Sequence, residues 1–306
     1  MNAGAGKVRS RCGLPYVQYD DRWMLTILFL GDIVGEPGRS AVIANLSRLK
    51  ESHAVDFVIL NGENAAGGRG ITPKITIDLL RAGASVITTG DHVWDQKEIL
   101  GFIDSEPRLL RPLNYPKGAP GCGSIVLDTA KGPVGVIDIQ ARTFMQPILE
   151  NPFPILEAAV AKMRQQTPVI FVDAHGETTS ERIAIGRFLD GKVSAVVGTH
   201  THVQTADEQI FPGGTAFLCD AGMCGPTNSI LGREVDSIVR RFVSNMPAPF
   251  PIARGDVRLC GAVIRIDEST GRAVHIERVN ELIPELRQPE SAAHPNVEAR
   301  NPSATP

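Results

Sequence analysis

Short runs of Val, Ile and Leu recur along the chain and alternate with segments of helical pattern. Runs this apolar are typical of strands that are buried on both faces of a sheet. The last two runs look like a hairpin joined at residues 268–271, which indicates a mixed sheet or two packed sheets. The alternation predicts an α/β fold. The predicted strands cover residues 25–32, 55–64, 85–92, 133–139, 168–175, 193–200, 215–222, 260–267 and 273–279.

The clearest helices are predicted from side-chain periodicity and end signals. The segment 38–50 places its apolar residues on one face. A second helix has Thr72 as its N-cap, Pro73 at the first helical position and Gly83 as its stop. A third spans about residues 180–190. These segments supply the helical layers of an α/β domain.

Composition excludes several classes of protein. The net charge of -3 gives no basic field for a nucleic acid backbone, so we expect no stable nucleic-acid complex. No apolar run approaches the roughly 20 residues that span a membrane. The five cysteines are scattered without C-x-x-C spacing, which is typical of reduced thiols and favours a cytoplasmic location. A small phosphorylated ligand remains compatible with this charge.

The two ends of the chain differ from the rest. Residues 1–23 are polar and Gly-rich, and we expect a disordered extension with Met24 as the true start. Residues 284–306 are rich in Pro, Ala and charge without periodicity, which predicts a disordered tail. One domain is expected over residues 24–283. The apolar, Pro-rich stretch 245–256 has the composition of a packing loop and would allow a homo-oligomer.

Residues that bind metals follow five of the predicted strands. In open α/β sheets, ligands bind outside the carboxyl ends of the strands, so these side chains should converge on one crevice. His200 and His202 are two residues apart, and in an extended segment both would face one site. The residues are Asp32, Glu63, Asn64, Asp91, His92, His175, His200 and His202.

Each of these residues taken singly has a simpler explanation. Asp32 could cap a helix, Glu63 and Asn64 could open a polar loop, and His175 could be a hydrogen-bonded core residue. Taken together they favour a site, since a structural account needs five coincidences at one end of one sheet. Three imidazoles with carboxylates and an amide, but no thiolate, suit Mn, Fe or Zn. So many ligands predict two cations roughly 3.5 to 4 Å apart that activate a bridging water.

Seven segments of the chain carry a family resemblance: 28-LFLGDIVGEPGR-39, 61-NGENAAGGRGIT-72, 89-TGDHVWDQKEI-99, 111-RPLNYP-116, 173-DAHGETTSE-181, 198-GTHTHVQTAD-207 and 220-DAGMCGP-226. In this order they resemble the YmdB-like family of calcineurin-type metallophosphoesterases. The resemblance implies a calcineurin-like sandwich of two mixed β-sheets flanked by helices. It also implies a dinuclear metal centre and hydrolysis of small phosphodiesters, cyclic nucleotides in particular, by a metal-bridging hydroxide.

The same resemblance assigns roles to the metal-binding residues. It implies that Asp32 and His202 hold the first metal and that Glu63 bridges the two. Asn64 is the candidate to complete the first site, because Val34 stands where the broader superfamily has a histidine. The second metal is held by Asp91, His175 and His200.

Two positions near the second metal carry further expectations. Family members usually have Asn where this chain has Asp91, and the added charge should tighten cation binding but weaken the cation as a Lewis acid. His92 is expected to point toward the substrate phosphate and either to stabilise its negative charge or to protonate the leaving oxygen; the alternative is a hydrogen bond that only supports a metal-binding residue. Arg69, Arg111, Asn114 and Arg142 could contact phosphate or base, or could simply be solvated.

Other functions are weighed against phosphodiester hydrolysis. The same centre could hydrolyse phosphomonoesters, and a regulatory protein could use the pocket to sense a nucleotide without turnover. A dinucleotide-binding role for residues 31–38 is disfavoured because the segment lacks G-x-G-x-x-G. An amidohydrolase barrel is disfavoured because its H-x-H pair normally lies on the first strand.

Overall fold

A computed structural model describes residues 24–285. The strands are β1 (Met24–Leu30), β2 (Asp32–Ile33), β3 (Phe57–Asn61), β4 (Val86–Thr88), β5 (Ser124–Thr129), β6 (Gly132–Gln140), β7 (Val169–His175), β8 (Ala195–Thr199), β9 (Gln209–Ile210), β10 (Ala216–Leu218), β11 (Met223–Pro226), β12 (Val257–Asp267) and β13 (Ala273–Ile283). The α-helices are α1 (Gly35–Ser52), α2 (Pro73–Ala82), α3 (Pro152–Met163), α4 (Thr179–Phe188) and α5 (Val235–Ser244). Short 3-10 turns cover Lys97–Gly101 and Ile103–Ser105.

The strands form two mixed sheets. The first has the order β2-β11-β12-β1-β3-β4, with β13 paired to β12, and its strands β1, β3 and β4 are parallel. The second has the order β5-β6-β7-β8-β10-β9, in which β6, β7, β8 and β10 are parallel. The predicted hairpin is the antiparallel pair β12 and β13. The sequence therefore predicted the α/β class and the mixed pairing correctly.

Strand β1 shows why both sheet faces are apolar. Leu25, Ile27 and Phe29 lie in the core between the two sheets, where the Phe29 and Phe171 rings are 5.0 Å apart. Leu28 and Leu30 point to the opposite face and pack in the core beneath α1 and α2. Successive strand residues face opposite sides, so a strand in a central layer must be apolar throughout. A third core cluster packs α3 and α4 on the outer face of the second sheet.

The predicted helix ends agree closely with the structure. The Thr72 hydroxyl accepts a hydrogen bond from the Ile75 amide (3.3 Å), and Gly83 ends α2 with φ 116°. Helix α1 begins at Gly35, earlier than the predicted 38, and α4 ends at Phe188, two residues before the predicted 190. Strands β5, β9 and β11 and helices α3 and α5 were not predicted.

Several predictions concern the chain as a whole. The predicted extension over 1–23 lies outside the described residues, as does the predicted tail over 284–306 except for Pro284 and Glu285. The domain assignment 24–283 stays a prediction. Within residues 24–285, no helix has both the length and the apolar character that a membrane crossing requires. The four cysteines of this part of the chain are free thiols.

Candidate metal centre

The polar residues that follow the strands of both sheets meet in one crevice. The first sheet supplies residues directly after β1, β3 and β4, and the second supplies residues at the ends of β7 and β8. Parallel strands end at the same edge of a sheet, and here the two edges lie side by side. The crevice is formed by Asp32, Glu63, Asn64 and Asp91 from the first sheet and by His175, His200 and His202 from the second.

One half of the crevice contains two carboxylates and two imidazoles. Ligand atoms of Glu63, Asp91, His175 and His200 all lie within 4.8 Å of one another. His175 Nε2 is 2.9 Å from Asp91 Oδ1 and 3.2 Å from Glu63 Oε1. His200 Nδ1 is 3.3 Å from the same Asp91 oxygen. These are the residues expected at the second metal, together with the expected bridging carboxylate.

The other half is centred on the Asn64 amide. Asn64 Nδ2 lies 3.3 Å from Asp32 Oδ1, 3.1 Å from Glu63 Oε1 and 3.1 Å from His202 Nε2. His202 Nε2 is 3.8 Å from Asp32 Oδ1. The NH₂ group of this amide, whose two hydrogens are its hydrogen-bond donors, thus stands between three acceptor atoms. A cation between the same groups could be coordinated by them once the amide turned its oxygen inward.

The carboxylates of the crevice are buried close together. Asp32, Glu63 and Asn64 are at most 2% exposed. Burial raises the pKa of Glu63, and the nearby Asp91 and Asp32 raise it further. Burial also opposes ionisation of Asp91, but hydrogen bonds with His175 and His200 hold the pKa of this carboxyl below its usual range. Among residues 24–285, no Lys or Arg pairs with any of the three carboxylates. Such uncompensated charge suits divalent cations.

The tautomer of His175 follows from its hydrogen bonds. Thr199 donates its one hydroxyl proton to Asp173 Oδ1 (2.7 Å). The same hydroxyl lies 2.9 Å from His175 Nδ1 and must therefore accept a proton from it. This leaves Nε2 to face the two carboxylates, where it donates a hydrogen bond while protonated and would offer its lone pair to a metal that displaced the proton. In metal-binding histidines, the ring nitrogen that does not bind the metal commonly donates its N–H to a neighbouring group in this way.

The other two histidines of the crevice follow the same rule. His202 Nδ1 is 3.3 Å from the Leu231 carbonyl, which can only accept, so Nε2 carries the lone pair toward Asp32 and Asn64. His200 Nε2 is 3.1 Å from the Glu177 carboxylate, which leaves Nδ1 to face the centre. Each of the three imidazoles thus has one ring nitrogen held by an outer partner and directs the other nitrogen inward, where a metal could bind it. Sequence reasoning missed Thr199, Glu177 and Leu231, and no spacing signal marked them.

The backbone that carries His200 and His202 differs from the prediction. Strand β8 ends at Thr199, and both histidines have left-handed backbone, with φ 111° and 66°. The expectation that strand alternation makes them face one site is wrong. Left-handed backbone outside glycine costs about 1–3 kcal/mol per residue. The two rings therefore converge because a strained turn aims them, one into each half of the crevice.

Gly90 leaves space for the Glu63 carboxylate and the His175 imidazole. A Cβ atom at this position would meet Glu63 Oε2 and His175 Nε2. Gly90 lies between β4 and Asp91. Its lack of a side chain lets the backbone that carries the Asp91 carboxylate pass close to Glu63 and His175. The predicted strand end 85–92 placed this glycine correctly but indicated no packing role.

Comparison with known proteins agrees with this architecture. Residues 28–279 match the model of the YmdB-like protein family. The chain belongs to the YmdB-like family. The family prediction is thereby confirmed. A 2',3'-cyclic-nucleotide 2'-phosphodiesterase of Bacillus subtilis is 48% identical over 255 residues, which cover 83% of this chain and 96% of that protein.

Two solved structures resemble this YmdB-like chain over most of its length. A hypothetical protein from Thermus thermophilus has a TM-score of 0.80 and 38% identity, covering 85% of this chain and 100% of that one. A novel phosphatase from Mycoplasma pneumoniae has a TM-score of 0.81 and 32% identity, covering 86% and 95%. The expected calcineurin-like sandwich of two mixed sheets with flanking helices is confirmed.

In this YmdB-like chain, His92 stands at the edge of the crevice. Its amide donates to Glu63 Oε2 (3.2 Å), and its Nδ1 lies 3.1 Å from Asp95 Oδ2. Burial lowers the pKa of His92, while Asp91 opposes this shift. Within residues 24–285, the His92 Nε2 atom forms no hydrogen bond. The ring is therefore held at one nitrogen and open at the other.

The four polar residues considered for phosphate or base contact separate into two groups. Arg111 donates to the carbonyls of Pro112, Ala119 and Pro120. Asn114 donates to the carbonyls of Gln140 and Glu150 and accepts from the Gln140 amide. Both are buried and shape loops. Arg69 pairs with Asp95 at 2.8 Å, and Arg142 is exposed. Only the second group has side chains that solvent or substrate can reach.

Proposed function

We propose that the protein is a metal-dependent phosphodiesterase that hydrolyses 2',3'-cyclic nucleotides. The observation that carries this proposal is the crevice in which three carboxylates and one ring nitrogen from each of three histidines converge. The activity named for the Bacillus subtilis relative supports the substrate class. Hydrolysis of 3',5'-cyclic nucleotides on the same centre is part of the proposal.

The ligand assignment divides the crevice into two sites. Asp32, Asn64 and His202 hold the first cation, and Glu63 bridges to the second. The second cation is held by Asp91, His175 and His200. Iron or manganese fits this mixture of imidazole and oxygen donors, and zinc is compatible with it. Two such cations lower the pKa of a bound water from about 15.7 toward about 7 and offset the charge of the phosphate.

His92 supplies the proton that the reaction requires. Opening the cyclic diester breaks a bond between phosphorus and a ribose oxygen, and that oxygen leaves as an alcohol only if it gains a proton. Asp95 accepts a hydrogen bond from Nδ1 of His92, so Nε2 is the nitrogen that would pass a proton to the leaving oxygen when the ring is an imidazolium. General acid catalysis of this kind contributes roughly 10² to 10⁴ in rate.

The proposal is tested by assaying purified protein against 2',3'- and 3',5'-cyclic nucleotides and a phosphomonoester, together with metal analysis. We expect two metals per chain and turnover of the diesters. Asp32→Asn should abolish turnover, whereas Asp128→Asn, an exposed position on β5, should not. If protein loaded with iron or with manganese hydrolysed none of the cyclic diesters, the proposed substrate class would be refuted.

Phosphomonoester hydrolysis is the second candidate, because the Mycoplasma pneumoniae structure is described as a phosphatase. The leaving oxygen of a phosphomonoester would need the same proton donor, and its phosphate group would need the same binding site. Monoester turnover that exceeds diester turnover would favour this candidate. A nucleotide sensor without turnover would instead bind the diester and release no product.

A further inference from the structure

Asp220 opens one of the segments that carried the family resemblance, yet it is not part of the crevice. Its carboxylate is completely buried. One oxygen accepts from the Thr201 amide (3.1 Å), the Thr201 hydroxyl (2.7 Å) and Arg182 Nη1, and the other accepts from the Gly222 amide (2.8 Å). Two of these four bonds go to Thr201, which lies in the turn between His200 and His202. A third comes from Arg182, which packs against the same turn.

Arg182 approaches the same turn from α4. It is 1% exposed, and its Nη1 donates to the Thr199 carbonyl (3.1 Å) as well as to Asp220. A Cβ at Gly198 would lie 2.8 Å from Arg182 Cδ, so β8 rests directly on this side chain. Arg182 and Asp220 thus fix the residue before His200 and the residue between the two histidines.

The turn needs such support because its backbone is unfavourable. His200 and His202 both have positive φ, and neither is a glycine. Strained residues persist only where the surroundings determine their conformation. The His200 amide also donates to Asp32 Oδ2 (3.1 Å), so the turn touches the metal centre through its backbone as well. Loss of the support would let both imidazoles relax away from the crevice.

We propose that Arg182 and Asp220 are positioning residues that hold the Thr199–His202 turn so that His200 and His202 reach the two metals. The inference rests on the metal centre of the proposed function, but it is independent of the substrate. A buried ion pair that merely stabilises the fold is the competing explanation. The two differ in one respect, because only a positioning role changes metal affinity in protein that remains folded.

Two threonines provide a matched pair of variants. Thr201→Val removes the hydroxyl that donates to the Asp220 carboxylate. Thr205→Val removes a hydroxyl that accepts from the Asp220 amide at 2.9 Å and lies 3.3 Å from its carbonyl, but leaves the carboxylate untouched. Both threonines are partly buried, so the exchanges are similar in size and burial.

The readout is Mn²⁺ binding to metal-free protein, measured by calorimetry, with electron paramagnetic resonance to detect a coupled Mn²⁺ pair. We expect Thr201→Val to weaken Mn²⁺ binding about 10-fold, because groups that orient metal ligands typically contribute 10–100-fold to metal affinity. Thr205→Val should leave the affinity within about twofold of the wild type. Equal weakening by both variants would overturn the proposal.

A double variant removes the ion pair without leaving a buried charge. Arg182→Met combined with Asp220→Asn should weaken Mn²⁺ binding by up to about 100-fold and abolish the coupled signal. Urea unfolding of the metal-free double variant reports its stability separately. Lower stability with unchanged Mn²⁺ affinity would show a structural role only and refute the inference. If the double variant does not fold, the threonine pair decides. Wild-type protein that binds two Mn²⁺ but leaves cyclic nucleotides intact would refute the proposed function and leave this inference standing.

Discussion

Replacing Gly90 by alanine should disable the metal centre without changing any ligating group. Gly90 has no positive φ, so alanine is compatible with the backbone, and only space decides the outcome. The added methyl group would stand against Glu63 Oε2 and His175 Nε2. Both groups are almost completely buried, at 1% and 0% exposure, and neither can swing into solvent.

The size of the effect follows from ordinary contact distances. A methyl carbon needs about 3.5 Å from its neighbours, so the carboxylate or the imidazole must retreat by on the order of 1 Å. Displacement by 1 Å at a reaction centre can cost roughly 100-fold in rate, which corresponds to about 2.7 kcal/mol. Overpacking should also lower the free energy of unfolding of the metal-free protein by about 1–3 kcal/mol.

The assay compares turnover of a 2',3'-cyclic nucleotide and metal content in Gly90→Ala and Gly101→Ala. Gly101 ends a 3-10 turn in the same segment, and a Cβ there meets nothing within 4 Å. We expect the Gly101 variant to match the wild type and the Gly90 variant to lose most of its turnover and part of its metal. If the two variants retained equal metal and equal turnover, the packing argument would be refuted.

Three further predictions concern single groups and the metals. His92→Ala should keep full metal content while turnover falls about 10²- to 10⁴-fold; elemental analysis beside a rate measurement checks this, and unchanged turnover would discard the proton-donor role. Glu177→Gln should weaken binding at the His200 site by roughly 10-fold in calorimetry, since His200 Nε2 loses its anionic partner; unaltered affinity would contradict the carboxylate–imidazole argument. Chelation of the metals should lower the free energy of unfolding by about 2.7 kcal/mol per site when the metal had been present at 100 times its Kd; identical urea midpoints with and without metal would argue against bound cations in the native protein.

The location of the site could be predicted from the sequence because strand ends are visible in it. Each buried strand is a continuous apolar run, so the first polar residue after it is easy to identify. The rule that parallel strands share a carboxyl edge then brings Asp32, Glu63, Asp91 and His175 together without any knowledge of the tertiary structure. The sequence alone did not show that two sheets supply these residues. This expectation came from the family resemblance and from the predicted hairpin near the end of the domain, which is β12 and β13 in the structure.

Other features could not be predicted because their signals are not local. Strand β5 is half-exposed and β11 is only four residues long, so neither shows a continuous apolar run. Thr199, Glu177 and the Leu231 carbonyl act on histidines through contacts that arise only when separate segments meet. Arg111 has the character of a phosphate ligand in the sequence, but three backbone carbonyls of its own loop use its guanidinium.

The H-x-H spacing illustrates how two residues can reach one crevice by a geometry other than the predicted one. Alternation along a strand would send both imidazoles to one face, and therefore toward one cation. In the structure, His200 lies with Asp91 while His202 lies with Asp32 and Asn64, so the pair serves both halves of the crevice. Such a division requires the chain to turn between the two histidines, and the turn requires left-handed backbone. Because neither residue favours that conformation, its stability must come from elsewhere in the fold, and the buried carboxylate of Asp220 is the group that contacts the turn at Thr201.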